Sequence, residues 1–287
     1  MKILVLGGRG LIGNNLVKYL SKNKDLKVYT TSRNKWNSNE IKLFSSASLI
    51  PSINLERNNK ILNLLKSIKP DVVINSAGIT KHLPNGNEPL SVLPINTLAP
   101  HFIAKFCSQI DCKFIQLSTD CVFSGSKGNY FEEDFPDAND LYGKSKYLGE
   151  PNTKNSLTIR ISTIGHELNT NYGLLNWFLN KSGSCKGYLK NIFSGFTVEE
   201  LSNIFCEHIF NNLHLKGLYH ISSSPISKYE LLKIISSVYK HKISIEPDTQ
   251  IKINRSLNSE KFKYITNYQP PSWPDQIYSM YSLNKSE

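Results

Sequence analysis

The segment Gly7-Gly8-Arg9-Gly10-Leu11-Ile12-Gly13 follows directly on the apolar run Ile3 to Leu6 and leads into the helical pattern Leu11 to Leu20. Few folds accommodate a strand that ends in clustered glycines and restarts at once as a helix. The glycines permit a tight turn, and they let backbone N–H groups at the helix N-terminus approach an anion. Two registers are present: Gly8, Gly10 and Gly13 spell G-x-G-x-x-G, while Gly7, Gly10 and Gly13 spell G-x-x-G-x-x-G. In either register the strand–loop–helix context reads as the first βαβ unit of a dinucleotide-binding sheet.

The rest of the first half supports that architecture. Apolar runs alternate with amphipathic patterns: a strand at Leu26 to Thr30, a helix carrying Ile61, Leu62, Leu64, Leu65 and Ile68 with Asn54 as its N-cap, and a buried strand Asp71 to Asn75. A helix over Ile95 to Ser108, a strand Lys113 to Leu117, a helix at Tyr142 and a strand Leu157 to Ile161 follow. The polar stretch Thr31 to Ser52 gives no clear strand. After about residue 162 the alternation breaks down into helices at Glu199 to Phe210 and Tyr229 to Tyr239. The expected fold is therefore α/β: a Rossmann-type doubly wound parallel sheet, residues 1–162, with a smaller C-terminal substrate-binding region, residues 163–287, interleaved with it.

Composition narrows the function classes. At 39% hydrophobic, 287 residues can bury a sizeable core. The longest apolar runs fall far short of the roughly 20 residues that span a bilayer, and Met1 to Gly7 is too short for a signal peptide, so a cytoplasmic protein with no membrane contact is expected. The net charge of +11 comes from scattered lysines, which favours small anionic partners over nucleic acid. The five cysteines, Cys107, Cys112, Cys121, Cys185 and Cys206, have no C-x-x-C or ligand spacing, so no metal site is expected.

Cofactor choice is read near the end of the second strand, where a carboxylate would bind the ribose 2′-hydroxyl of NAD. From Leu26 to Asn39 there is no Asp or Glu, and Ser32, Arg33 and the loop residue Arg9 are offered instead. A guanidinium grips a 2′-phosphate bidentately, which favours NADPH, with NADH left open. Tyr142 and Lys146 stand at i and i+4, on one helix face. A lysine cation beside a phenol would lower its pKa and fit the pair for acid/base chemistry.

With Asn75-Ser76-Ala77-Gly78, Ile95-Asn96-Thr97 and Ser118-Thr119-Asp120, these motifs form one ordered series, and the chain resembles the extended short-chain dehydrogenase/reductases. Through Gly217-Leu218-Tyr219-His220, Arg255-Ser256-Leu257-Asn258-Ser259 and Pro271-Ser272-Trp273 it is most similar to the dTDP-4-dehydrorhamnose reductase family, over nearly the whole chain. The resemblance implies a reductase of a nucleotide-sugar substrate. In it Tyr142 protonates the substrate oxygen, Lys146 holds the nicotinamide ribose, and Thr119 hydrogen-bonds the carbonyl. Gly7, Arg9, Gly10, Leu11, Ile12, Gly13, Ser32, Arg33, Ser76, Ala77 and Gly78 surround the cofactor, with Asn96 either in a proton relay or in a structural role. Arg255 would bind the substrate diphosphate. A homodimer is left open.

One position departs from the family. Its members usually read S-T-D-Y-V-F where this chain reads Ser118-Thr119-Asp120-Cys121-Val122-Phe123. Cys121 in place of Glu argues against 4,6-dehydration. GDP-fucose synthase is similar in carrying Cys there as an epimerisation base, so a bifunctional 3,5-epimerase/4-reductase using Cys121, with His166 as the complementary acid, stays open. So does a non-catalytic NADP-binding regulatory subunit.

Overall fold

Side-chain alternation in the first strand sets the layering. In β1 (Lys2–Leu6) successive side chains face opposite sides of the sheet. Ile3 and Val5 join a buried cluster with Leu16, Val17 and Leu20 of α1 (Leu11–Leu20). Leu4 and Leu6 join another with Ile61 and Leu65 of α3 (Asn58–Ile68) and Ile103 and Cys107 of α5 (Ala99–Gln109). A strand apolar on both faces needs helices on both sides, and the chain supplies them. The computed structural model describes residues 1–56 and 58–285.

The sheet has seven strands in the order Gly217–His220, β6 (Ser156–Ile161), β5 (Lys113–Thr119), β4 (Val72–Asn75), β1, β2 (Lys27–Thr31) and β3 (Ser48–Ile50). Every neighbouring pair is parallel. This is the doubly wound α/β sheet expected from the sequence, and the strand order reverses between β1 and β4, where such sheets open a crevice at the strand carboxyl ends. Chain from beyond residue 162 completes the sheet at Gly217–His220, and the helix Val198–Ile204 packs on α1. A separate core of Leu175, Phe178, Leu231, Leu232, Ile235, Trp273, Ile277 and Met280 organises the other late elements. Among the described residues no helix is long and apolar enough to cross a membrane.

Local differences from the sequence reading have physical causes. Asn54 Oδ1 accepts from the Glu56 N–H at 3.1 Å, an Asx turn, and the described part of α3 begins at Asn58. The expected helix Ile95–Ser108 is a composite of α4 (Pro89–Leu93), a π-helical turn Pro94–Leu98, and α5. Pro94 and Pro100 remove N–H donors there, so a regular ladder cannot form throughout. A second π-helical turn, Phe205–Ile209, interrupts the helix read at Glu199 to Phe210. The polar stretch after β2 holds a short α2 (Ser38–Leu43) and the edge strand β3.

One buried polar cluster ties the sheet to the helix that carries Tyr142, α6 (Leu141–Leu148). Arg160 of β6, 2% exposed, donates from Nε and Nη2 to Glu150 at 2.9 and 2.8 Å. Glu150 also accepts from the Ser118 hydroxyl at 2.6 Å. Arg160 lies 3.3 Å from the His220 ring nitrogen, and burial beside this cation pushes His220 down to about 3, so the ring is neutral. Removing one partner of a buried pair strands the other charge. Arg160→Ala should therefore lower unfolding free energy by about 3–5 kcal/mol in denaturant titrations, whereas a loss below 1 kcal/mol would contradict a structural role for the pair.

Candidate active site

The crevice is bounded first by the glycine turn. Gly7 adopts φ +85°, and a Cβ there would lie 2.8 Å from the Ala77 backbone. A Cβ at Gly13 would lie 2.2 Å from the Gly7 carbonyl oxygen. These two positions need glycine, whereas Gly10 has more room, with its nearest neighbour at 3.4 Å, and sits at the N-cap of α1 without offering a side-chain acceptor. The first-turn N–H groups at Leu11, Ile12 and Gly13 are thus not capped by a side chain, the arrangement an anionic diphosphate requires. Across the crevice the Ser76 hydroxyl donates to Leu6 O at 2.6 Å, anchoring the Ser76-Ala77-Gly78 loop beside the turn. A Cβ on Gly78 would meet Asn96 Oδ1 at 3.4 Å and Lys146 Nζ at 4.0 Å, so the loop passes close to the Tyr142 helix.

Asn96 stands between the loop after β4 and α6. It is buried in the π-helical turn; its Oδ1 accepts from Ile79 N at 2.8 Å, and its Nδ2 donates to Ile79 O at 2.9 Å and Ser145 Oγ at 3.1 Å. Both ends of the amide are engaged, and they bind the loop after β4 to α6.

At the far end of the crevice, Thr119 closes β5 and its Oγ1 accepts from Cys121 N at 3.1 Å, starting a single 3₁₀ turn. The α6 N-terminus packs directly on that turn, since a Cβ at Gly143 would lie 2.2 Å from Cys121 O. Asp140 caps α6, accepting from Gly143 N at 2.7 Å. This packing sets the Tyr142 end of α6 against the turn that Thr119 opens. Lys146, 5% exposed, donates from Nζ to Leu117 O at 2.6 Å.

The expected lowering of Tyr142 by Lys146 is not found in the protein alone. Burial raises the phenol above its ordinary value, Cys121 and Asp120 add to the rise, and the Thr119 hydrogen bond only partly opposes it. Burial pushes the Lys146 ammonium down to about 8, opposed by Glu150. At neutral pH the pair is a loaded phenol and a mostly protonated lysine. Asp120 is lifted above the ordinary carboxylate range by burial, against the pull of Arg255.

The expected Arg255 lies at the same place, near two cations that the sequence reading missed, Lys81 and Lys228. Arg255 donates from Nε to Phe123 O at 2.7 Å and brings Nη1 to 3.9 Å from Cys121 Sγ. Lys228, on the helix Lys228–Tyr239, is pushed down by burial and feels Asp120, Cys121, Lys81 and Arg255. Lys81 pairs with Asp140 at 3.4 Å. Nothing in the local sequence marked Lys81 or Lys228, which lie 147 positions apart and meet only in the fold. Three cations at one mouth suit a diphosphate.

Other expected residues are placed differently. The His166 ring hydrogen-bonds Tyr239 OH at 2.8 Å and lines a small cleft with Asn15, Lys18 and Glu199, so it is not gathered with Cys121. Ser32 is buried and donates its hydroxyl to Asn34 O. Arg33 is exposed, and Arg9 is paired with Glu40. Burial pushes the Cys121 thiol up to about 12, with Asp120 adding and Arg255 opposing, the reverse of what an epimerisation base needs. Among the described residues no cluster of His, Cys, Asp and Glu is placed to hold a metal ion.

The family model described as the RmlD substrate binding domain matches residues 1–283. The spore coat polysaccharide biosynthesis protein SpsK of Bacillus subtilis is 30% identical over 58% of this chain, and methionine adenosyltransferase 2 subunit beta of Bos taurus is 26% identical over 52%. The matched segments span 60% and 41% of those two proteins. The structure of dTDP-4-dehydrorhamnose reductase from Yersinia enterocolitica is 25% identical, with a TM-score of 0.77, covering 98% of each chain. The same enzyme from Bacillus anthracis, solved in complex with NADP, is 20% identical with a TM-score of 0.77, covering 98% of this chain and 99% of that one.

A thiol held near 12 is almost entirely protonated at pH 7.5. Cys121 should be alkylated by iodoacetamide at least about 100-fold more slowly than free cysteine, followed by peptide mass spectrometry. Alkylation at the free-cysteine rate would restore Cys121 as a candidate base.

Proposed function

Because the chain belongs to the RmlD substrate binding domain family, we propose that it is an NADPH-dependent reductase of the 4-keto group of a nucleotide-activated 4-keto-6-deoxy sugar. NADH is the alternative cofactor. The substrate is dTDP-4-dehydrorhamnose or a UDP-linked relative such as a 2-acetamido sugar, and the product feeds deoxysugar and surface polysaccharide synthesis. Resemblance to a spore coat polysaccharide biosynthesis protein supports that direction. The observation that carries the reading is the packing of the Tyr142 helix on the turn that Thr119 opens, with buried Lys146 one helical turn on and its Nζ on Leu117 O, near the Lys81, Lys228 and Arg255 cations. In this reading residues 1–162 hold the cofactor, and the interleaved residues 163–287 supply most contacts to the sugar nucleotide.

When bound, the reduced nicotinamide supplies a hydride to the carbonyl carbon. Tyr142 gives its proton to the carbonyl oxygen as negative charge develops there, and the Thr119 hydroxyl donates a hydrogen bond to the same oxygen. The raised pKa keeps Tyr142 loaded with the proton it must deliver. Lys146 holds the nicotinamide ribose, and its charge favours the phenolate left behind. Gly7, Gly10 and Gly13, with the N–H groups at Leu11 and Ile12, receive the cofactor diphosphate, and Ser76, Ala77 and Gly78 flank it. Lys81, Lys228 and Arg255 receive the substrate diphosphate.

The resemblance to a methionine adenosyltransferase subunit gives the regulatory-subunit reading its support. The assembled Thr119, Tyr142 and Lys146 set favours catalysis over it. Neither the Cys121 thiol nor the position of His166 supports added epimerisation.

The test is NADPH oxidation against dTDP- and UDP-linked 4-keto-6-deoxy sugars. Tyr142→Phe should lose roughly 100-fold or more of turnover while keeping NADPH affinity; unchanged turnover would remove Tyr142 from the mechanism. Lys146 is charged below about 8 and neutral above it. NADPH affinity should therefore fall as pH rises through that value, and Lys146→Met should bind more weakly without this slope. Equal slopes in both proteins would contradict the assignment.

A further inference from the structure

The carboxylate missing from Leu26 to Asn39 arrives one residue later in the sequence and lands directly on Arg9. Glu40, at the third position of α2 with a side chain 4% exposed, accepts from Arg9 Nε at 2.7 Å and Arg9 Nη2 at 2.5 Å. Its remaining capacity is taken by the Asn37 N–H at 2.9 Å, in a capping box, and by Asn169 Nδ2 at 3.3 Å, reaching over from the second region. Arg9 is further held by a hydrogen bond from Nη2 to Lys35 O at 2.6 Å, and its guanidinium lies 5.0 Å from the Trp36 ring centroid. Burial alone would raise the Glu40 carboxyl, but these hydrogen bonds hold it below its ordinary value, so the pair is a full ion pair at neutral pH.

A guanidinium binds phosphate strongly by presenting two parallel N–H groups along one edge. The Nε/Nη2 edge of Arg9 already faces a carboxylate in that geometry, so a phosphate would have to displace Glu40 or approach another edge of a guanidinium whose charge is locally cancelled. Ser32 is turned to Asn34 O, and Arg33 and Lys35 are exposed. Nor can Glu40 serve as the ribose-binding carboxylate of an NAD site, because its oxygens are filled by protein donors.

We infer that Glu40 is a specificity-determining residue: by occupying Arg9 it withholds that guanidinium from a 2′-phosphate, so the chain binds adenine nucleotides with and without that phosphate at similar affinity. The inference rests on the dinucleotide site proposed above and refines its cofactor preference from NADPH towards dual use.

Isothermal titration of the full chain with 2′,5′-ADP and with 5′-AMP tests it without turnover. The two affinities should lie within about tenfold in the wild-type protein. Glu40→Gln preserves the capping box, since Gln serves at that position. It should tighten 2′,5′-ADP by about tenfold through the released charged hydrogen bonds and leave 5′-AMP unchanged. Adding Arg9→Gln to Glu40→Gln should erase the gain. A wild-type preference for 2′,5′-ADP above about 100-fold, an unchanged ratio in Glu40→Gln, or a gain that survives in the double variant each overturns the inference. Binding of 5′-AMP with any of these leaves the dinucleotide site standing; binding of neither nucleotide removes that site and the inference together.

Discussion

A Cβ at Gly7 would stand 2.8 Å from the backbone of Ala77, and one at Gly13 would stand 2.2 Å from the Gly7 carbonyl. That close approach of the first turn to the loop after β4 sets the width of the crevice between β1 and β4, and the rest of the site is arranged from it. The Ser76-Ala77-Gly78 loop is pinned to β1 through Ser76 and to the π-helical turn through Asn96. Asn96 in turn hydrogen-bonds Ser145 on α6, one residue before Lys146. The glycine turn, the loop and the reactive helix are therefore linked by short contacts, and a larger side chain at the first would force the others to shift.

The reactive helix is fixed from its other end by buried charge. Glu150 accepts from Ser118, next to Thr119, and from Arg160 on β6, whose guanidinium lies 5.1 Å from the Phe123 ring and adjoins the neutral His220 of the edge strand Gly217–His220. Thr119 and Tyr142 come from different elements, yet both ends of the contact between them are tied to one carboxylate. Such a network costs desolvation, and its return is geometric definition of the two hydroxyls proposed to act on a carbonyl oxygen.

Much of this was legible in the chain because it is local. The glycine loop, the alternating apolar runs and the Tyr142/Lys146 spacing are patterns within a few residues, and they carried the sheet, the crevice and the reactive helix. What was not legible depends on long-range pairing. Glu40 lies one residue beyond the acid-free run Leu26 to Asn39, and only folding brings it to Arg9. Lys81, Lys228 and Arg255 come from three separate segments and act on one another only in the fold. His166 follows a strand end, as active-site residues often do, but the chain turns it toward Tyr239. Burial reversed two electrostatic expectations, raising Tyr142 and Cys121 where neighbouring cations were expected to lower them or needed to do so.

The central claim is hydride delivery to a keto carbon at this site with no proton exchange at the flanking carbons. Reduction of a 4-keto-6-deoxy sugar nucleotide with NADPH carrying deuterium at the nicotinamide C4, followed by NMR of the product, tests it directly. The account predicts deuterium at the sugar C4 and, in a parallel run in D₂O, none at C3 or C5. Absence of label at C4 with both dTDP- and UDP-linked substrates would contradict it.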